Sequence, residues 1–168
     1  LCNSFGNSCF VTAGSDQKIE RCIKLGAVNG ANRRTKNFFE LLSEWTNSKG
    51  IDVILDPVGA DYLEENLSLL AVDGRMVLIG LMGGSSAELN LGRMMIKRLR
   101  IIGSTLRARS IAAKSSVMDE LESRVWPLIE SGDIRPIIDT VLPIQEADVG
   151  HKLLATNDTF GKVVLSID

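Results

Sequence analysis

A chain of 168 residues, 45% of them hydrophobic and with a mean hydropathy of +0.12, carries enough apolar material for one sizeable core. Its 19 lysines and arginines stand against 21 aspartates and glutamates, and a formal charge of -2 raises no field that would draw in nucleic acid or anionic lipid. The apolar runs are of strand length and broken by Gly, Asp or Arg, short of the roughly 20 residues needed to span a bilayer, so a soluble, cytoplasmic protein is expected. Cys2, Cys9 and Cys22 lack metal-ligand spacing and the lone His151 cannot complete a zinc site with them, so reduced, structural thiols are expected. The sequence opens at Leu1 without an initiator methionine or a signal-peptide pattern, and reads as a cut through something larger.

In chain order, Ser8 to Ala13 (SCFVTA) is an apolar, β-branched run ending at Gly14, the pattern of a buried strand closing on a turn. Ser15 caps a helix whose Ile19, Cys22 and Ile23 share one face, with Lys24 in its last turn and Gly26 beyond. Gly30 to Arg33 is a brief link or edge strand. Asn37 to Ser48 is a second helix, with Phe38, Leu41, Leu42 and Trp45 on one face and Lys49-Gly50 as its stop. Asp52 to Leu55 (DVIL) is a strand ending in Asp56-Pro57-Val58-Gly59. A helix with Leu63, Leu67 and Leu70 follows, then Asp73-Gly74 and the strand Arg75 to Gly80.

The rhythm is βαβ, which predicts an α/β fold with a parallel sheet covered on both faces and ligands at the carboxyl ends of the strands. A Gly-rich loop, Gly80 to Ser86 (GLMGGSS), leads through the Met-rich segment Met94 to Ile96 to the strand Leu99 to Ser104. After Arg109 the character changes. A long helix from about Ser110 to Ser131, which Pro127 can kink, is followed by a strand at Ile137 to Leu142, a helix at Gln145 to Thr156 and a final strand at Lys162 to Ile167. Periodicity alone stops at an α/β domain for a nucleotide-type ligand.

The order VTAGSDQK, LGA, VILDPVG, GRMVLIGLMGG and a closing GKVVL resembles the cofactor half of the medium-chain dehydrogenase/reductase family, most closely its zinc-independent quinone oxidoreductases of the zeta-crystallin group. The likeness covers essentially the whole chain; each motif is weak alone, and their order and spacing carry it. It implies a Rossmann-like doubly wound parallel sheet over residues 1–107, lacking its first strand, and a segment over 108–168 that returns to the family's GroES-like catalytic domain. The family's first strand and its G-x-G-x-x-G phosphate turn lie just upstream of such a sequence, and Leu1 to Gly6 is then the tail of the first helix. Without that strand, the Ser8 and Asp52 strands must pair directly, recruit another segment or leave a gap.

The resemblance also implies NADPH as cofactor. Where an NAD-specific sheet places a carboxylate at the end of its second strand, this chain has Gly14 and Ser15, with Lys18 one turn on and Arg33 able to stack on adenine or grip the oxygens of a 2′-phosphate. Asp16 is the counter-signal: facing the ribose, it would favour NADH. The plainer alternative is a Ser15 helix cap with solvent-facing Lys18 and Arg33. Val58 and Gly59 would lie near the ribose on the nicotinamide side, or form an ordinary strand-to-helix turn. Gly80, Leu81, Met82 and Gly83 match the loop flanking the nicotinamide, where glycines permit close approach and amides can hold the carboxamide. Ser104, Thr105 and Leu106 would meet the same ring, or belong to a buried edge strand; in the family this strand also pairs across a homodimer. Lys162 matches a basic position toward the pyrophosphate or adjoining ribose, or is a solvated strand-end lysine. His151 is read as packed or on the surface, and Tyr62, at a helix start, is not assigned a proton-donating role.

No residue stands out as acid, base or nucleophile, which agrees with hydride delivered by the cofactor. The leading expectation is an NADPH-dependent oxidoreductase acting on a quinone or other conjugated carbonyl, inactive as this piece alone. A zinc-type alcohol dehydrogenase of the same superfamily and a non-catalytic nucleotide-binding or dimerisation module are the alternatives.

Overall fold

The computed structural model describes residues 1–35 and 37–167, and divides them into two compact units, one of Ser8–Ser115 and one of Leu1–Asn7 with Ser116 onward. In the first unit, strand β1 (Phe10–Ala13) is joined through helix α1 (Asp16–Lys24) to β2 (Asn29–Asn32). The two strands pair in parallel, from Phe10 opposite Asn29 to Ala13 opposite Asn32, so the segment expected as a link or edge strand is a paired strand. Ser15 is extended, and its hydroxyl accepts the Lys18 N–H at 3.3 Å, one of the donors a helix start leaves open. Asp16 in the first turn and Lys24 in the last complement the helix dipole. Ile19 is the buried residue of this helix, and partial burial pushes the Cys22 thiol up.

Helix α2 (Phe38–Trp45) starts at Asn37, whose side chain accepts the Phe39 N–H at 3.0 Å. Phe38 and Leu42, one turn apart, are buried with Ala31 of β2 and Leu69, and Trp45 stacks on Phe10 of β1 with ring centroids 5.9 Å apart. Tyr62 packs against Phe38 at 5.1 Å, a structural role.

A three-stranded parallel sheet holds β3 (Ile51–Asp56), β4 (Leu70–Leu78) and β5 (Arg100–Gly103) in that order. Asp56 lies opposite Leu78 and Leu78 opposite Gly103, so all three strands end at one edge. Helices α3 (Leu63–Leu69) and α4 (Leu91–Lys97) supply the crossovers. Leu67, Leu70, Met76 and Leu99 are buried there with Ile54, Met94 and Ile101 around them, each full burial being worth about 1.5–3 kcal/mol. Leu70, expected on the helix, is the first residue of β4, where it is fully buried. Asp73, at a φ of 64°, and Gly74 form an irregularity inside β4: the register steps from Ile51 opposite Leu70 to Val53 opposite Arg75. The Met-rich segment is helical, with Asn90 capping the Arg93 N–H at 2.9 Å.

The expectation of a sheet covered on both faces is not met. Ile54, Met76 and Ile101 share the covered face, whereas on the other Val53, Leu55 and Ile102 are 44%, 64% and 41% exposed. The reason is topological. Crossovers of one hand that step repeatedly in one direction put every helix on the same side, and the opposite face is covered only by crossovers stepping the other way. Of the three outcomes for the missing first strand, the structure takes the gap: among the described residues β1 pairs with β2 alone and β3 with β4 alone.

In the second unit the long helix is two: α5 (Ile111–Arg124), which begins in the first unit, and α6 (Trp126–Glu130). Pro127 sits in the first turn of α6, where its missing N–H costs nothing, so it starts a helix instead of kinking one. A short 3-10 turn at Asn3–Phe5 brings the Phe5 ring to 5.6 Å from the Arg124 guanidinium carbon. Strands β6 (Ile138–Pro143) and β7 (Lys162–Ser166), joined through α7 (Ala147–Ala155), pair in parallel with each other. An unpaired strand leaves a row of open N–H and C=O groups, and mutual pairing removes half of that cost. Among the described residues no helix is long and apolar enough to cross a membrane.

Candidate functional site

The carboxyl ends of the strands gather the candidate residues of the first unit into two clusters. At the β1–β2 pair, Gly14 follows β1 and the guanidinium groups of Arg33 and Arg34 lie over it: a Cβ on Gly14 would stand 3.5 Å from Arg33 Nη2 and 3.5 Å from Arg34 Nε. Bonds from two consecutive amides, one to a backbone and one to a side-chain acceptor, fix this turn. Arg33 N–H donates to the Ala13 carbonyl at 2.9 Å and Arg34 N–H to Asn32 Oδ1 at 3.1 Å. Asp16 is not an unattached carboxylate, since its Oδ1 accepts from Asn32 Nδ2 at 3.0 Å. Ser15 serves as the helix cap and Lys18 is half-buried in the first turn of α1.

The second cluster lies at the common edge of β3, β4 and β5. Asp56, 2% exposed, spends both carboxylate oxygens on its own turn, Oδ1 accepting Val58 N–H at 2.7 Å and Oδ2 accepting Gly59 N–H at 3.2 Å. This turn is zipped to the Gly-rich loop. Met82 N–H donates to the Pro57 carbonyl at 3.2 Å, Gly83 N–H to that of Val58 at 2.8 Å and Ala60 N–H to that of Gly84 at 3.1 Å. The amides of Val58, Gly59, Met82 and Gly83 are therefore already engaged, whereas those of Gly80 and Leu81 meet no protein acceptor among the described residues. Gly80 is required by the zipper itself, because a Cβ there would lie 2.7 Å from the Pro57 carbonyl oxygen.

Ser104 joins this edge through its N–H to the Leu78 carbonyl at 2.9 Å, and Thr105 and Leu106 follow it exposed. Leu81 and Met82 are exposed as well. Lys162 belongs to the other unit, where it opens β7, exposed, with its N–H on the Ile137 carbonyl at 2.9 Å. His151 is exposed on α7. A hollow of about 410 Å³ beside Phe5 and Leu121 and another of about 150 Å³ beside Lys49 and Ser68 include none of the candidate residues. Both clusters lie on open strand ends.

Arg34, Asn32 and Asp56 were missed by sequence reasoning. The Arg33-Arg34 doublet was a visible signal, of which one member was taken. Nothing in the sequence distinguished Asn32 and Asp56 from ordinary turn residues, because their roles depend on partners set by the fold.

These features define a Rossmann-like parallel α/β domain. The chain belongs to the zinc-binding dehydrogenase family, whose model matches residues 1–123. Quinone oxidoreductase of Homo sapiens is 27% identical over 169 residues, covering 98% of this chain and 49% of the relative. The structure of Escherichia coli quinone oxidoreductase complexed with NADPH superposes with a TM-score of 0.81 at 26% identity, over 97% of this chain and 51% of that one. An NAD-dependent alcohol dehydrogenase structure is 31% identical with a TM-score of 0.78, over 99% of this chain and 46% of that one. The kinship with medium-chain dehydrogenases and reductases holds, and the chain spans about half the length of the curated relatives it matches.

Proposed function

We propose that this chain is the cofactor-holding part of an NADPH-dependent reductase that passes hydride to a quinone or another electron-poor conjugated carbonyl. The observation that carries the reading is the pair of guanidinium groups over Gly14, with Asp16 bound to Asn32: two forked cations suit a 2′-phosphate better than a bare ribose diol. NADPH, when bound, supplies the hydride. Arg33 and Arg34 hold its 2′-phosphate beside Gly14 and Ser15, with Lys18 adding charge from the first turn of α1. The backbone edges of Val58, Gly59, Met82 and Gly83 shape the nicotinamide side without donating amides, and Gly80 and Leu81 provide the N–H groups left to hold a carboxamide. Ser104, Thr105 and Leu106 border the same ring. The chain's part is positioning, so this piece alone is inactive and the substrate pocket belongs to the rest of the protein.

A zinc-type alcohol dehydrogenase is the second reading, favoured by the likeness to the NAD-dependent enzyme; cysteine and histidine ligands in the remainder of the protein decide it. A non-catalytic nucleotide-binding module is the third, and turnover by the chain would count against it. The open edge of β5, within the Leu99 to Ser104 strand, supports a homodimer through that strand. A single-chain mass in sedimentation at micromolar concentration would end that part.

Amide NMR tests the assignment residue by residue. Adding NADPH to the chain should shift Gly14, Ser15, Gly80, Leu81 and Ser104, the first pair reporting the phosphate end and the others the nicotinamide end. Shifts confined to residues outside these clusters, or none at millimolar cofactor, would overturn it.

A further inference from the structure

Asn32 is the last residue of β2, 7% exposed, and both ends of its side chain are engaged. Its Nδ2 donates to Asp16 Oδ1 at 3.0 Å and its Oδ1 accepts from the Arg34 N–H at 3.1 Å. A carboxamide can donate and accept at once; aspartate could only accept and leucine could do neither. The one side chain therefore acts on an acidic residue through its carboxylate and on a basic one through its main chain. It ties the acidic residue nearest Ser15 toward the β2 side, and it fixes the turn from which two guanidinium groups lie over Gly14. Released from Asn32, the Asp16 carboxylate can rotate about its side-chain torsions toward the ribose position, where it would accept from a diol and repel a phosphate dianion.

We infer that Asn32 is a specificity-determining positioning residue: by holding Asp16 and Arg34 together it gives the β1–β2 edge its preference for an adenine ribose bearing a 2′-phosphate. The inference rests on the cofactor reading above and adds to it the device that silences Asp16. It also gives Asp16, the one acidic residue that argues for NADH, a place in an NADPH site.

The test uses adenosine 2′,5′-bisphosphate and AMP as probes, which differ by the phosphate in question and need no nicotinamide. Their affinity ratio is measured by calorimetry for the chain, for Asn32→Leu, for Asp16→Ala and for the double variant. The chain should prefer the bisphosphate. Asn32→Leu should reduce the ratio about tenfold, the scale of one charge-assisted hydrogen bond, and the double variant should recover most of it because the released carboxylate is gone. A purely structural role for Asn32 would give no such rescue.

Asp16→Ala alone, an exposed change that any outcome for Asn32→Leu leaves interpretable, should alter the ratio by less than about twofold, since its carboxylate is already withheld. A rise of about tenfold in that variant would mean Asp16 faces the ribose in the native chain and would overturn the inference, as would a folded Asn32→Leu with an unchanged ratio. Absence of any preference in the unaltered chain would instead overturn the 2′-phosphate reading, and the inference with it.

Discussion

Gly59→Ala is expected to lower the stability of the Ser8–Ser115 unit by about 3 kcal/mol, read from urea unfolding as a drop in midpoint at unchanged slope. Gly59 has φ 85° and ψ -123°, a region that side-chain-bearing residues enter only at a cost of about 1–3 kcal/mol. Steric conflict adds to this. A Cβ at Gly59 would stand 2.7 Å from the Gly84 carbonyl oxygen, a backbone atom already fixed by the Ala60 N–H at 3.1 Å. Relief requires the 57–60 turn and the 80–84 loop to part, which also breaks the bonds from Met82 and Gly83. Gly92, in the first turn of α4 at an ordinary φ with 3.4 Å to the nearest side-chain atom, is the control: Gly92→Ala should change stability by less than about 1 kcal/mol. Equal effects at the two positions would mean that the zipper does not hold the loops.

Arg33→Ala and Arg34→Ala should each weaken NADPH binding about ten- to a hundredfold, the equivalent of one or two charge-assisted hydrogen bonds, while NADH affinity moves by less than about threefold. The asymmetry follows from the position of the guanidinium groups. They lie over Gly14, beside Ser15, where the two cofactors differ by a phosphate. Arg33→Lys should recover only part of the loss, because an ammonium keeps the charge but not the planar fork. An equal loss for both cofactors would assign the arginines to a general electrostatic role.

Much of the architecture was legible because buried parallel strands are local patterns: FVTA, DVIL and RMVL each carry their β-branched and apolar content within a few residues. Leu70 shows where that fails, since a buried leucine serves the end of α3 and the start of β4 equally well. Helix α4 was not legible because Met94 packs on the core while Met95 and Ile96 point to solvent, 75% and 74% exposed, so its apolar residues do not fall on one face. Neither the bare face of the β3–β5 sheet nor the pairing of β6 with β7 is a local property; both depend on which strands are present. At the site, the glycines were legible as positions of close approach. What they approach was not, because the zipper partners Pro57, Val58 and Gly84 become visible only once β3 and β4 are side by side. The Asn32–Asp16 bond joins residues sixteen positions apart and left no trace in the sequence pattern.

If this chain is the part that recognises NADPH, a fluorescence titration of the unaltered chain with NADPH and with NADH should show it. Binding of NADPH at least tenfold tighter than NADH, and lost in Arg33→Ala, is the predicted result. Tighter binding of NADH, or NADPH binding that survives loss of both Arg33 and Arg34, would contradict it.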